Sequence, residues 1–167
     1  MASPLACATQ ADGQVLPFRS QNPTPRLREG YRLVSDEPPS VEALNRLRQA
    51  CGEPPRRAEL WQRALERSHG QYSVLDAENH LRGYVRITSD QALNANLWDL
   101  LSDPSDPARE QVITALLHAS LARLRRELSG CSVSVSAPPE ALAALSRAGF
   151  IVDPGGIRAM GLKLGGS

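Results

Sequence analysis

Between Arg86 and Asp99 the chain reads RITSDQALNANLWD, and this short stretch gathers residues equipped for chemistry. Asp90 and Asp99 are carboxylates, and either one could accept a proton from a reacting group, directly or through water. Arg86, Ser89, Asn94 and Trp98 accompany them. The same residues have a purely structural reading: Asp99 and Arg86 as an ion pair, Asp90 as a turn cap, Trp98 as a core residue. Polar clusters often specify a fold without reacting.

A second stretch follows directly. NLWDLLSDPSDPAREQVITALL, residues 96–117, reads as strand, loop and helix. Such junctions bind phosphate through free backbone N–H groups and the helix dipole. They usually contain glycine, which lets the backbone approach a ligand closely. None is present here. Asp106-Pro107 instead reads as an N-cap followed by proline at the first helical position. A capping carboxylate takes amide N–H groups, and proline removes one donor outright. Asp103 and Glu110 add negative potential, which Arg109 offsets only in part. The junction is thus expected to be a self-capped helix start, with a cap worth ~1 kcal/mol.

Other reactive side chains are scattered. His69, His80 and His118 form no cluster, and Cys7, Cys51 and Cys131 form no CxxC. No metal site is expected, and reduced thiols in a cytoplasmic setting are. Arg123, Arg125 and Arg126 fall late in a helix, where positive charge complements the dipole. With a formal charge of +1, nothing suggests a nucleic-acid partner, which would need a clustered basic face. No apolar run approaches the ~18 residues of a membrane span, and the N-terminus lacks a secretory pattern.

The elements that must position these residues follow from pattern. Residues 1–30 are rich in Pro, Gln, Ser and Ala, and read as a disordered tail ahead of a domain over 31–167. YRLVS is a first strand. SVEALNRLRQACG is a helix with Ser40 as N-cap and Gly52 as its stop. AELWQRALERSHG is a second, ended by Gly70, with Trp61 packed inward. QYSVLDA and HLRGYVRITSD are strands joined by a hairpin at Glu78-Asn79. ANLWDLLS is a more apolar strand. Val112, Ala115, Leu116, Ala119, Ala122 and Leu128 give a helix over about 107–128. CSVSVS alternates as a strand, PPEALAALSRAG is a helix closed by Gly149, and FIV and IRAMGLKL finish as strands. The order is α+β, a mixed sheet with helices on its faces.

That order, and two gapped motifs, resemble the Gcn5-related N-acetyltransferase (GNAT) superfamily. GYVRITSDQALNANLWDLLSDPS is similar to the core of its plastid and cyanobacterial branch, which includes enzymes acetylating serotonin-like arylalkylamines and lysines. Gly83, Arg86, Ser89, Asp90, Asn94, Ala95, Trp98, Asp99 and Pro104 carry the match. Near the end, Gly149, Phe150, Asp153, Pro154, Gly156, Ile157 and Met160 in LSRAGFIVDPGGIRAM match a second motif. The resemblance spans roughly residues 31–164. It implies a GNAT fold: a mostly antiparallel central sheet with a splay between the fourth and fifth strands and helices on both faces. It implies transfer of an acetyl group from acetyl-CoA to a primary amine of a small molecule or lysine. Pantetheine is then expected along backbone of Leu100, Leu101 and Ser102, and pyrophosphate on the loop spanning Arg109, Gln111, Val112 and Ile113. Arg86, Ser89, Asn94 and Trp98 fall on the acceptor side, with Asp90 or Asp99 as the base.

Two departures oppose turnover. Gln111 and Ile113 stand where the family pattern has glycine or a small residue, and Leu145 stands where a tyrosine often protonates the leaving thiolate. Leucine cannot supply a proton. Acetyl-CoA binding is therefore expected to be weak or absent. The alternative function is a catalytically impaired GNAT-fold module that binds a protein or metabolite partner. A homodimer is compatible with either.

Overall fold

The computed structural model describes residues 24–153. Among the described residues five strands form one sheet in the order β1-β2-β3-β4-β5: Arg32–Ser35, Gly70–Leu75, Leu81–Ser89, Asn94–Ser102 and Ser132–Val135. The first four pair antiparallel, and β5 runs parallel to β4. This is the expected mixed α+β sheet.

Helices cover both faces because the strands carry apolar residues on both. α3 (Arg109–Glu127) and α4 (Leu142–Ala148) close one face, packing Val112, Leu116, Leu117 and Leu145 onto Val85, Ile87, Leu97 and Leu100. α1 (Val41–Ala50) and α2 (Ala58–Glu66) close the other, where Leu44, Leu47 and Trp61 bury Tyr84 and Leu101. Ser40 caps α1 by accepting the Ala43 amide at 3.1 Å. Gly83 lets α3 lie close to the sheet: a Cβ there would stand 2.3 Å from Val112 Cγ1.

Two features of β4 position the site. Arg86 pairs with Trp98 and Tyr84 with Leu101, so Asp99 and Leu100 share the place opposite Val85. That is a β-bulge, and Asp99 takes a left-handed φ of 52° within it. Beyond it, β5 pairs with β4 only from Asn94 to Leu97, while β3 follows β4 as far as Ser102. The sheet therefore splays after Leu97, leaving the β5-side edge of Trp98–Ser102 without a strand partner among the described residues.

Several expectations need correction. α3 starts at Arg109, not near Pro107, because Asp106–Ala108 form a tighter turn ahead of it. Gly70 opens β2 and does not end α2. Phe150–Val152 do not form a strand; Ile151 and Val152 are exposed. The expected strand at 157–164 and the tail over 1–23 lie outside the described residues, whereas Leu27 packs against the core and so belongs to the fold.

Candidate active site at the β4 bulge

Asp99 is the centre of an arginine cluster. Its side chain is 5% exposed. Oδ1 lies 3.1 Å from Arg48 Nη1 and 3.5 Å from Arg56 Nη2, and Oδ2 accepts from Arg86 Nε at 3.2 Å. Three segments thus converge on one carboxylate: α1, the α1–α2 loop and β3. Arg48 is itself buried; its Nε donates to the Pro54 carbonyl and it pairs with Glu53 at 2.6 Å. Burial, then the nearby Arg56 charge, lowers the Arg48 pKa from its usual value. Trp61 lies beneath the cluster, with the Arg48 and Arg56 guanidinium carbons 5.9 and 5.6 Å from its ring centre. Aspartate tolerates left-handed backbone better than most residues, yet the conformation still costs energy. The guanidinium groups hold it there.

Asp90, the other candidate base, lies at the opposite end of the hairpin. Its Oδ1 accepts the amides of Ala92, Leu93 and Asn94, and Oδ2 accepts from Asn94 Nδ2. The backbone bonds to Asn94 and Ala92 are the main cause of its pKa falling to about 2. Ser89 Oγ donates to the Asn94 carbonyl and accepts the Gln91 amide, closing the same turn. Ser89, Asp90 and Asn94 therefore build the β3–β4 loop and do not join Asp99. Trp98 is 41% exposed rather than a core residue, with its indole N–H on Thr88 Oγ1 at 2.9 Å. Arg86 and Trp98 are the expected acceptor-side residues that meet at the bulge.

The splay side is built from backbone. Asp103 donates its amide to the Arg82 carbonyl, so Gly83 and Ser102 are a non-hydrogen-bonded pair and Ser102's peptide groups point away from β3. Leu100, two residues back, shares that direction, while Leu101 faces β3. Cys51 Sγ donates to the Ser102 carbonyl at 3.4 Å, at the end of the open edge. Burial raises the thiol pKa. The Ser102 hydroxyl is buried without a partner among the described residues.

At the start of α3, Asp106 turns toward Tyr31, whose hydroxyl donates to Oδ1 at 3.0 Å. Of the backbone amides nearby, the same oxygen accepts only that of Ala108, at 2.7 Å. The Arg109 and Val112 amides bond to the Asp106 and Ala108 carbonyls. No bond forms at the Glu110 and Gln111 amides among the described residues. The self-cap expected at Asp106 is therefore not formed: the residue preceding α3 is Ala108, which makes no side-chain cap bond, and Asp106 instead closes the turn ahead of the helix through the Ala108 amide. Of the expected loop residues, Gln111 is exposed, whereas Val112 and Ile113 send their side chains into the core. Arg109 pairs with Glu140, and Glu110 with Arg147 at 2.7 Å. Leu145 is 3% exposed and packs in the core, so it offers no proton to the splay.

Arg48 and Arg56 were not among the residues expected from sequence. A signal for Arg48 was present: it falls four residues after Leu44 and one after Leu47, on the buried face of α1. A charged residue on a core face implies a buried counter-charge. Arg56 gave no such signal, since it lies in an irregular loop.

The surroundings of Asp76 are structural. It accepts the Glu78 and His80 amides and pairs with Arg82 at 2.8 Å, which closes the β2–β3 hairpin. Glu78 and His80 are exposed beside it.

Comparison with known proteins bears on the fold. No protein-family model matches the chain. An N-acetyltransferase described as uncharacterized, ycf52 of Pyropia yezoensis, is 33% identical over 86 residues, covering 51% of this chain and 48% of that protein. The chloroplastic GCN5-related N-acetyltransferase 2 of Arabidopsis thaliana is 34% identical over 95 residues, covering 56% and 35%. The chain spans about half the length, or less, of the curated relatives it matches. Among solved structures, a probable acetyltransferase from Staphylococcus aureus superposes with a TM-score of 0.71 at 17% identity, over 80% of this chain and 99% of that one. The GNAT-family YhbS of Escherichia coli, solved in complex with CoA, gives 0.58 at 20% identity, over 78% and 73%. The fold is that of the Gcn5-related N-acetyltransferases, and over about half of the chain the sequence is similar to ycf52 and to the chloroplastic GCN5-related N-acetyltransferase 2.

Proposed function

We propose that the protein transfers an acetyl group from acetyl-CoA to a primary amine at the β4 bulge. The observation that carries this reading is the open edge of β4. Leu100 and the Ser102 amide face a splay whose far end is the start of α3, where the Glu110 and Gln111 amides are unbonded among the described residues. Extended pantetheine can pair with such an edge, and a helix start with free N–H groups suits a pyrophosphate. The CoA bound to YhbS lends support at the level of the fold. In the reaction the amine nitrogen attacks the thioester carbonyl carbon and the CoA thiolate leaves. Backbone N–H groups of β4 would polarise the carbonyl. With Asp90 and Asp99 both engaged, the amine proton passes to solvent and the thiolate takes its proton from water.

A specific observation favours the second reading, a binding module without turnover. Neither candidate carboxylate is free, Leu145 is buried, and the Glu110 carboxylate sits on the same turn as the unbonded amides. Calorimetric titration of acetyl-CoA, with desulfo-CoA and pantetheine as controls, separates the two. Micromolar binding that weakens without the pyrophosphate supports the transferase, and a screen of amine acceptors then follows. No binding at millimolar acetyl-CoA by folded protein rejects it.

A further inference from the structure

A shallow cavity of about 270 Å³ lies on the α2 face of the sheet, lined by Leu60, Arg63, Ala64, Arg67, Arg86 and Thr88. Its three charged lining residues are all arginines. Arg86 is shared with the bulge, since its Nε lies 3.2 Å from Asp99 while Nη1 reaches Ser68 Oγ at 3.4 Å. The side chains of Arg63 and Arg67 make no ion pair or hydrogen bond among the described residues. Arg63 lies in the last turn of α2 and Arg67 is the residue that caps it, so two like charges crowd the same end of the helix. Glu66, on the same helix, does not line the cavity. Asp99 is already shared by Arg48, Arg56 and Arg86, so positive charge remains in excess.

A shallow, solvent-open depression of this size can seat one end of a small molecule, and unneutralised guanidinium groups at its wall match a carboxylate or a phosphate in shape and charge. They would repel a polyamine or a lysine set among basic residues. We infer that this cavity takes the anionic end of the acceptor, a small primary amine carrying a carboxylate or phosphate, with Arg63 and Arg67 as the residues that set specificity. Arg86 joins the two ends: the anion rests in the cavity while the nitrogen reaches the bulge. The apolar Leu60 in the lining accommodates a short side chain.

The inference rests on the acceptor side of the acetyltransferase reading, and its test has a readout that turnover does not control. The full chain is titrated calorimetrically with two matched pairs: L-phenylalanine against phenethylamine, and O-phosphoethanolamine against ethanolamine. At least one anionic member is expected to bind about tenfold more tightly than its counterpart, the scale of one charge-assisted pair. Which pair shows the preference distinguishes carboxylate from phosphate. The double variant Arg63→Ala/Arg67→Ala should bring that ratio close to one, whereas Arg125→Ala, a loss of charge on α3 across the sheet, should leave it intact. Equal affinities, no binding by any of the four, or a preference surviving the double variant would overturn the inference. A preference without acetyl-CoA binding leaves it standing and rejects the transferase; acetylation without anionic preference does the reverse.

Discussion

Asp99→Asn is the substitution that most directly tests the bulge. Asparagine keeps the size of the side chain and tolerates the left-handed φ of 52°, so the change isolates the charge. Asp99 and Arg48 are each 5% exposed at the side chain, and Arg86 is 12% exposed. Removing one partner of a buried pair costs about 3–5 kcal/mol, because the other charge is left uncompensated. Arg48 keeps Glu53 and the Pro54 carbonyl, which places the expected loss near the lower end, about 3 kcal/mol. Arg56, with its side chain 44% exposed, adds little. For a chain of this size that loss lowers Tm by about 6–12 °C. Urea unfolding with an unchanged m-value measures it. Asp99→Ala should lose about 1–2 kcal/mol more, from the backbone conformation that alanine resists. The Arg86→Met/Asp99→Asn double variant should be less damaging than the two single losses added, with a coupling of about 2 kcal/mol. A loss below about 1 kcal/mol for Asp99→Asn would refute the claim that the arginines hold the bulge through this charge.

Asp90, with its folded pKa at about 2 against an ordinary 3.8, contributes stability above about pH 4 that is lost as the pH falls toward 2. Asp90→Ala should therefore be less stable than the parent at neutral pH, with the gap closing across that acid window in pH-dependent denaturation. If acetyl transfer is found, the same variant should retain it, since the carboxylate serves the loop. Gly83→Ala would push a methyl group to 2.3 Å from Val112 Cγ1 and 3.2 Å from the Leu101 carbonyl; thermal melts should show a loss of about 1–3 kcal/mol. At the start of α3, Glu140→Ala would free Arg109 and Glu110→Gln would remove a carboxylate beside the unbonded amides. Each should tighten acetyl-CoA binding about two- to fivefold at low salt, and no change in either would mean that the pyrophosphate does not rest there.

Much of the architecture was legible in the chain because it depends on local periodicity. The alternating Val133 and Val135 in β5, the apolar spacing of α3 and the Ser40 cap each reflect interactions within a few residues. The two motifs that resemble GNAT proteins supplied the splay and the strand order, which periodicity alone would not. The reading of Asp106 as the helix N-cap is overturned: α3 begins after Ala108, and Asp106 bonds only the Ala108 amide, in the turn before the helix. Tyr31 lies 75 residues away in sequence, and no local pattern announces that its hydroxyl will draw the carboxylate aside.

The site divides the same way. Sequence by itself determined which residues carry charge near the β4 centre, the absence of glycine at the α3 junction, and the replacement of a proton donor by Leu145. It left open whether Asp90 and Asp99 were bases or braces. Only the tertiary structure decided that Asp90 closes a turn while Asp99 gathers Arg48, Arg56 and Arg86. It also decided that Arg63 and Arg67 stand beside Arg86 without a counter-charge among the described residues. The reason is range. Periodicity and capping act over one or two helical turns and are written in adjacent residues. The meeting of α1, α2 and β4 at one carboxylate depends on how the layers pack, and that is set by the whole core at once.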